Sequence, residues 1–267
     1  MMKGLLVIIG CPVLEDEIVY AIVKDLEIRN VHVVENEECA NLVRKLEGAR
    51  REFSYVGEAE IGSLPRDGYD VVVLMKSVGL HEEPDDLKNE VLLTVRELDG
   101  KVDSMLLFYG LCGNAFKDFD RLMHNMTTPV FILRDRQGRI VDDCVAAPLG
   151  GTDGYYNLLK RYAGVMLFTP AWAINWDQML RKMEMLRGIE EGDDEDAFIR
   201  MVFEMAGYER VLKIHTGLGD EALFDQKTRE FAEAYDFRVE ELEPGWCSMT
   251  VTDDAWESAR GALNGKE

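Results

Sequence analysis

Short, wholly apolar runs alternate with longer amphipathic stretches along most of this chain, and that alternation limits the fold more than any other feature. L-L-V-I-I at 5–9, V-V-V-L-M at 71–75 and M-L-L-F-Y at 105–109 are continuously apolar rather than alternating in polarity. A strand that is apolar on both sides must be covered on both faces, which is the condition of a parallel sheet flanked by helices. The intervening segments have helical length. The one at 14–28 carries Glu15, Asp16 and Glu17 in its first turn, and the one at 84–98 opens on Pro84. The expected fold class is therefore α/β, a mainly parallel Rossmann-like sheet with helices on both faces. A single domain over 1–267 is expected, with a helical excursion at about 172–207, an acidic connector at 190–196, and 189–196 as the place for any boundary. Further strands are predicted at 140–145 and 247–252, and Thr152 is the expected N-cap of the helix that follows it.

The charge balance narrows the partners. Lys and Arg number 30 against 51 Asp and Glu, a net charge of −21. Such a surface does not neutralise phosphates, so neither nucleic acid nor an anionic membrane is expected as a partner. Heavy solvation, as in a salt-tolerant cytoplasm, is the plain reading of the acidity. No apolar run approaches the roughly 20 residues of a membrane span. The first residues read as a strand rather than a signal peptide, and a cytoplasmic location is expected. Five cysteines, an odd number, in a reducing compartment do not suggest a disulfide framework.

Three of those cysteines follow apolar runs: Cys11 after the first, Cys112 in M-L-L-F-Y-G-L-C-G-N, and Cys144 in R-I-V-D-D-C-V. If each run is a strand, the three thiols emerge at the carboxyl edge of one sheet, where open α/β sheets bind ligands. Thiolates favour soft or borderline metals, so the expected cofactor is an iron–sulfur cluster or zinc held by Cys11, Cys112 and Cys144, with one position open. Cys11 is expected at a helix amino end, which favours its thiolate. Gly110 and Gly113 flank Cys112 closely enough for backbone to approach a cofactor. Gly151 and Thr152, opening a helix, are a second candidate, for an anion held on free amides. The chain has neither the G-x-G-x-x-G order after its first strand nor a Walker lysine. A redox or nucleophilic thiol site and plain core packing are the alternatives for the cysteines.

Several segments together resemble the archaeal and bacterial family called domain of unknown function 1638. They are Cys11, Y-G-L-C-G-N at 109–114, D-C at 143–144, L-G-G-T-D-G-Y-Y at 149–156, T-P-A-W at 169–172 and T-G-L-G-D at 216–220. The resemblance implies that Cys11, Cys112 and Cys144 are the functional thiols. It also implies a setting near corrinoid-dependent methyl transfer in anaerobes, with a small-molecule substrate or a methyl-transfer enzyme as partner. Two histidines of the family pattern are replaced here, one by Asp142 and one around Cys39 to Asn41. The competing reading, of a different class, is a non-catalytic small-molecule or protein-binding module in which the cysteines only pack.

The remaining candidates are weaker. Cys247 is a possible fourth ligand, and Cys39 reads as packing. Asp143 is a candidate base or hydrogen-bond partner beside Cys144, and Asp142 a candidate outer carboxylate. Of the four histidines, His81 stands nearest the expected sheet rim, while His32, His124 and His215 form no ligand motif with it. Trp172, Trp176, Tyr155 and Tyr156 could wall a pocket for a flat ligand, although aromatics in such places usually belong to the core.

Overall fold

The computed structural model describes residues 2–78, 83–181 and 195–265. His81 and the 190–194 part of the acidic connector lie outside them. In chain order, the first half gives β1 (Gly4–Gly10), α1 (Glu15–Lys24), β2 (Asn30–Val34), α2 (Ala40–Gly48), β3 (Ser54–Val56), β4 (Tyr69–Met75), α3 (Pro84–Leu98), β5 (Ser104–Phe108), α4 (Phe119–Met123) and β6 (Val130–Ile132). The second half gives α5 (Thr152–Arg161), β7 (Val165–Phe168), α6 (Pro170–Arg181), α7 (Glu195–Ala206), β8 (Arg210–Lys213), α8 (Glu221–Tyr235), β9 (Arg238–Glu241) and α9 (Thr250–Gly261).

The first sheet has six strands in the order β3-β2-β4-β1-β5-β6, all parallel. Its central strands β1, β4 and β5 are buried along their whole length, as their continuous apolar sequences require. One face packs on Ile18 and Ile22 of α1, Leu42 and Leu46 of α2, and Val251, Trp256 and Ala259 of α9. The other packs on Leu87, Val91 and Val95 of α3 and on Phe116 and Phe119. The α/β, Rossmann-like expectation holds.

The expectation of a single sheet does not. Among the described residues, strands β7, β8 and β9 pair only with one another, as a second parallel sheet. The physical reason lies just after β6. There the chain turns back on itself through an antiparallel bridge between Arg134 and Ile140, so no strand extends the first sheet on that side. Asp135 locks the turn by accepting hydrogen bonds from the backbone amides of Gln137 and Arg139, both at 3.0 Å. The change of sheet falls between β6 and β7. The second sheet has its own aromatic core, with Phe168, Trp176, Phe203 and Tyr235 around Phe231.

Three local predictions need correction. Residues 140–145 contribute one bridge and then a 3-10 turn at Cys144–Ala146, not a strand. Residues 247–252 contribute a single bridge at Ser248 and then the first turn of α9. The N-cap of α5 is Gly151, whose φ of 112° suits glycine, and Thr152 is the first helical residue. The short edge strand β3 was not anticipated at all: Ser54 and Tyr55 are exposed, so it has no apolar run to announce it.

Candidate thiol site at a switch point

After β1 the chain leaves to the α1 face of the first sheet, whereas after its neighbour β5 it leaves to the opposite face, where Phe116 and Phe119 pack. Adjacent strands whose connections depart to opposite sides open a crevice at their carboxyl ends. Cys11 is the first residue beyond β1, and its amide donates to Phe108 O at 3.4 Å. Tyr109 and Cys112 follow β5. Two of the three predicted thiols thus stand at the carboxyl edge, as expected. Cys144 comes from the 3-10 turn rather than from a strand end, and reaches the same place because residues 139–144 pass over the β5 loop.

Close backbone approach sets that crossing. The Leu111 amide donates to Val141 O at 2.8 Å. A Cβ added to Gly110 would stand 2.7 Å from Val141 O and 3.1 Å from the carbonyl carbon of Asp143. Gly110 therefore lets two protein segments meet. Cys112, Gly113 and Asn114 all adopt positive φ, at 45°, 62° and 69°. For a cysteine this conformation is costly, and such strain persists where the surroundings impose it, often at functional sites. It aims the Cys112 thiol back over the sheet edge.

The result is a meeting of all three thiols. Cys112 Sγ lies 3.8 Å from Cys144 Sγ, and Cys11 lines the same cavity and interacts electrostatically with Cys144. Among the described residues no three His, Cys, Asp or Glu side chains already surround one point as ligands would, so the three thiols do not form a closed tripod. All five cysteines are free of disulfides. The hydrogen bond to Cys144, then burial, pushes both Cys11 and Cys112 well above the ordinary thiol value. The thiolate expected at Cys11 from a helix dipole is not found. Pro12–Leu14 form only a 3-10 turn, so no α-helix amino end faces Cys11 directly. Little thiolate at neutral pH disfavours exchange or nucleophilic chemistry in the metal-free protein, whereas a bound cation reverses the sign.

The thiols open into a cavity of about 260 Å³. Its walls are apolar and come from both sheets: Val13 and Leu87 from the first, Met166, Trp172, Met179 and Leu180 from around the second. Asp143 and Ser77 add polar atoms at the thiol end, and Asp143 Oδ1 accepts from the Val145 amide at 2.8 Å. Tyr109 also lines it. A larger depression of about 780 Å³ lies near α1 and α2, lined by Lys24, Arg44 and Lys45. Lys24 and Lys45 there already contact carboxylates, and no nucleophilic or ligating thiol faces it, so the smaller cavity is the better candidate site.

Other predicted residues fall elsewhere. Gly113 lines the thiol cavity with its Cα against Pro84. Gly151 packs against the Asp135 side chain, and the Thr152 hydroxyl accepts from the Asp142 amide at 3.2 Å. Cys247 is not among the cavity residues, and burial pushes its thiol up to about 11. Cys39 is buried, and its thiol donates to Asn36 O at 3.1 Å. Trp172 walls the cavity, while Trp176 belongs to the second core and Tyr156 is exposed.

A family model described as a protein of unknown function, DUF1638, matches residues 75–250. The chain belongs to this family. The matched span contains Cys112 and Cys144, and Cys11 stands before it. No curated protein and no solved structure matches the chain. No helix among the described residues is long and apolar enough to cross a membrane.

Sequence reasoning missed two groups. One is the set Met166, Met179 and Leu180, which reaches the site from the second sheet, where no local pattern marks it. The other is Glu17, buried beside the site with Glu15 and Asp16, at 2%, 0% and 4% exposure. These acids read as helix-dipole residues in the sequence. The apolar Ile18, Ala21 and Ile22 that follow them were the available hint that this turn enters the core.

Proposed function

We propose that this DUF1638 protein binds one soft or borderline metal ion, zinc foremost, through Cys11, Cys112 and Cys144. The observation that carries the reading is the 3.8 Å separation of Cys112 and Cys144 Sγ at the head of an otherwise apolar cavity. Two sulfurs each about 2.3 Å from a zinc, at the tetrahedral angle, stand about 3.8 Å apart. Cysteines on a four-iron cluster bind different irons and are held farther apart, so the spacing favours a single ion over a cluster. Metal binding also accounts for one buried and two half-buried thiols gathered beside a strained loop, which packing alone does not need. The three thiols share one cavity, so closure on an ion calls for side-chain rotation rather than refolding. Such an ion would supply Lewis acidity and lower the pKa of a thiol or water in its fourth position. Thiol activation of that kind suits the methyl-transfer setting that the family resemblance implies.

The test is elemental analysis of protein purified without oxygen, with its absorption spectrum. Wild type and Cys39→Ser should carry about one metal per chain, and Cys11→Ser, Cys112→Ser and Cys144→Ser should carry far less. Equal metal content in all four variants would overturn the assignment. Iron accompanied by acid-labile sulfide would replace the single ion with a cluster.

A further inference from the structure

Tyr109 is the polar group at the thiol end that the fold leaves unused. It is 2% exposed, and its hydroxyl has no hydrogen-bond partner. A buried phenol normally finds one, because leaving it unpaired costs roughly 1–3 kcal/mol. The ring is held by Phe116, with centroids 5.7 Å apart, and by its place directly after β5. Tyr109 lines the same cavity as Cys11, Cys112 and Cys144, and its hydroxyl interacts electrostatically with all three and with Glu38. It therefore belongs to the thiol end of the cavity.

The rest of the cavity selects a ligand class. About 260 Å³ is room for roughly nine waters at about 30 Å³ each, which is below the size of a drug-like ligand. Among the described residues lining it there is no Lys, Arg or His. Carboxylate, sulfonate and phosphate ligands would add their charge to Asp143 and three sulfurs, more than one divalent ion balances. Met166, Met179 and Trp172 offer polarisable and aromatic surface, which favours sulfur.

We infer that the cavity takes a small, uncharged organic thiol, sulfur first, with the Tyr109 hydroxyl donating a hydrogen bond to that sulfur. The inference rests on the three-thiolate centre proposed above. The thiol sulfur would fill the open position as its thiolate, releasing its proton to solvent. Tyr109 acts as a binding residue that offsets the negative charge gathered there.

The test uses the full chain loaded with cobalt(II), whose visible bands report its ligands. 1-Propanethiol is titrated against wild type and Tyr109→Phe, with 3-mercaptopropionate as the anionic counterpart. Tyr109→Phe keeps the ring packing and should keep its cobalt. It should bind propanethiol roughly tenfold or more weakly, the effect of losing a hydrogen bond to a charged acceptor. Wild type should bind mercaptopropionate more weakly than propanethiol. Unchanged propanethiol affinity in Tyr109→Phe, or equal affinity for the two thiols, would overturn the inference while leaving the metal centre standing. A wild-type protein that takes up no cobalt would overturn both.

Discussion

Replacing Glu17 by glutamine should stabilise this protein, and increasingly so as pH rises. The Glu17 side chain is buried in the first turn of α1, and its Oε2 has no hydrogen-bond partner. Burial, reinforced by the neighbouring Asp16 charge, pushes its carboxyl from the ordinary 4.5 up to about 8. A group that binds its proton more tightly when folded stabilises the fold fully below pH 4.5. That advantage is lost as pH climbs through 8. At about 1.4 kcal/mol per pH unit, the total cost at full ionisation is roughly 5 kcal/mol, and about 3 kcal/mol of it falls between pH 5.5 and pH 8.5. Glutamine is close to isosteric with the protonated acid and cannot ionise. Urea unfolding of both proteins, at equal metal content, should therefore show the wild type losing about 3 kcal/mol more than Glu17→Gln across that interval. Taking the difference cancels the self-repulsion of the acidic surface, which affects both proteins alike. Parallel pH curves would refute the argument, because they would mean that water or a cation reaches Glu17 in the folded protein.

Two other perturbations test neighbouring parts of the structure. Gly110→Ala places a methyl group against Val141 O and the Asp143 backbone, so it should cost about 1–3 kcal/mol and lower metal content with every thiol still present. Gly48→Ala, where an added Cβ meets nothing within 4 Å, should leave metal content unchanged. Lys45→Met removes an ammonium that stands 2.9 Å from Glu15 Oε1 and 2.5 Å from Asp16 Oδ1. The contact is ionic rather than a well-directed hydrogen bond, and its loss leaves buried carboxylates uncompensated. A drop of about 3–5 kcal/mol in urea unfolding at neutral pH is expected, shrinking toward acid pH as Glu15, pushed up to about 6 by burial, takes a proton.

Local sequence carried the central strands and two-thirds of the thiol site. Continuous apolar runs can only be strands covered on both faces, so β1, β4 and β5 were legible, and with them the edge where Cys11 and Cys112 emerge. Cys144 was legible as a neighbour of that edge but not by its route. The apolar pattern at 140–145 is that of a strand, while the structure uses it for one bridge and a turn. Glu15, Asp16 and Glu17 were misjudged for a similar reason: in sequence, acids at a helix start look solvated whether or not another helix covers them.

The sequence by itself determined that this chain folds as helix-covered parallel sheets and that thiols meet the end of β1 and the loop after β5, because periodicity and strand burial are local properties. Only the tertiary structure decided that there are two sheets, and that a wall from the second closes over thiols of the first. It also decided that the Tyr109 hydroxyl and Glu17 Oε2 are buried without hydrogen-bond partners. Those outcomes depend on contacts between segments as far apart as residues 11 and 180, and no local pattern encodes which distant surface will arrive to remove water.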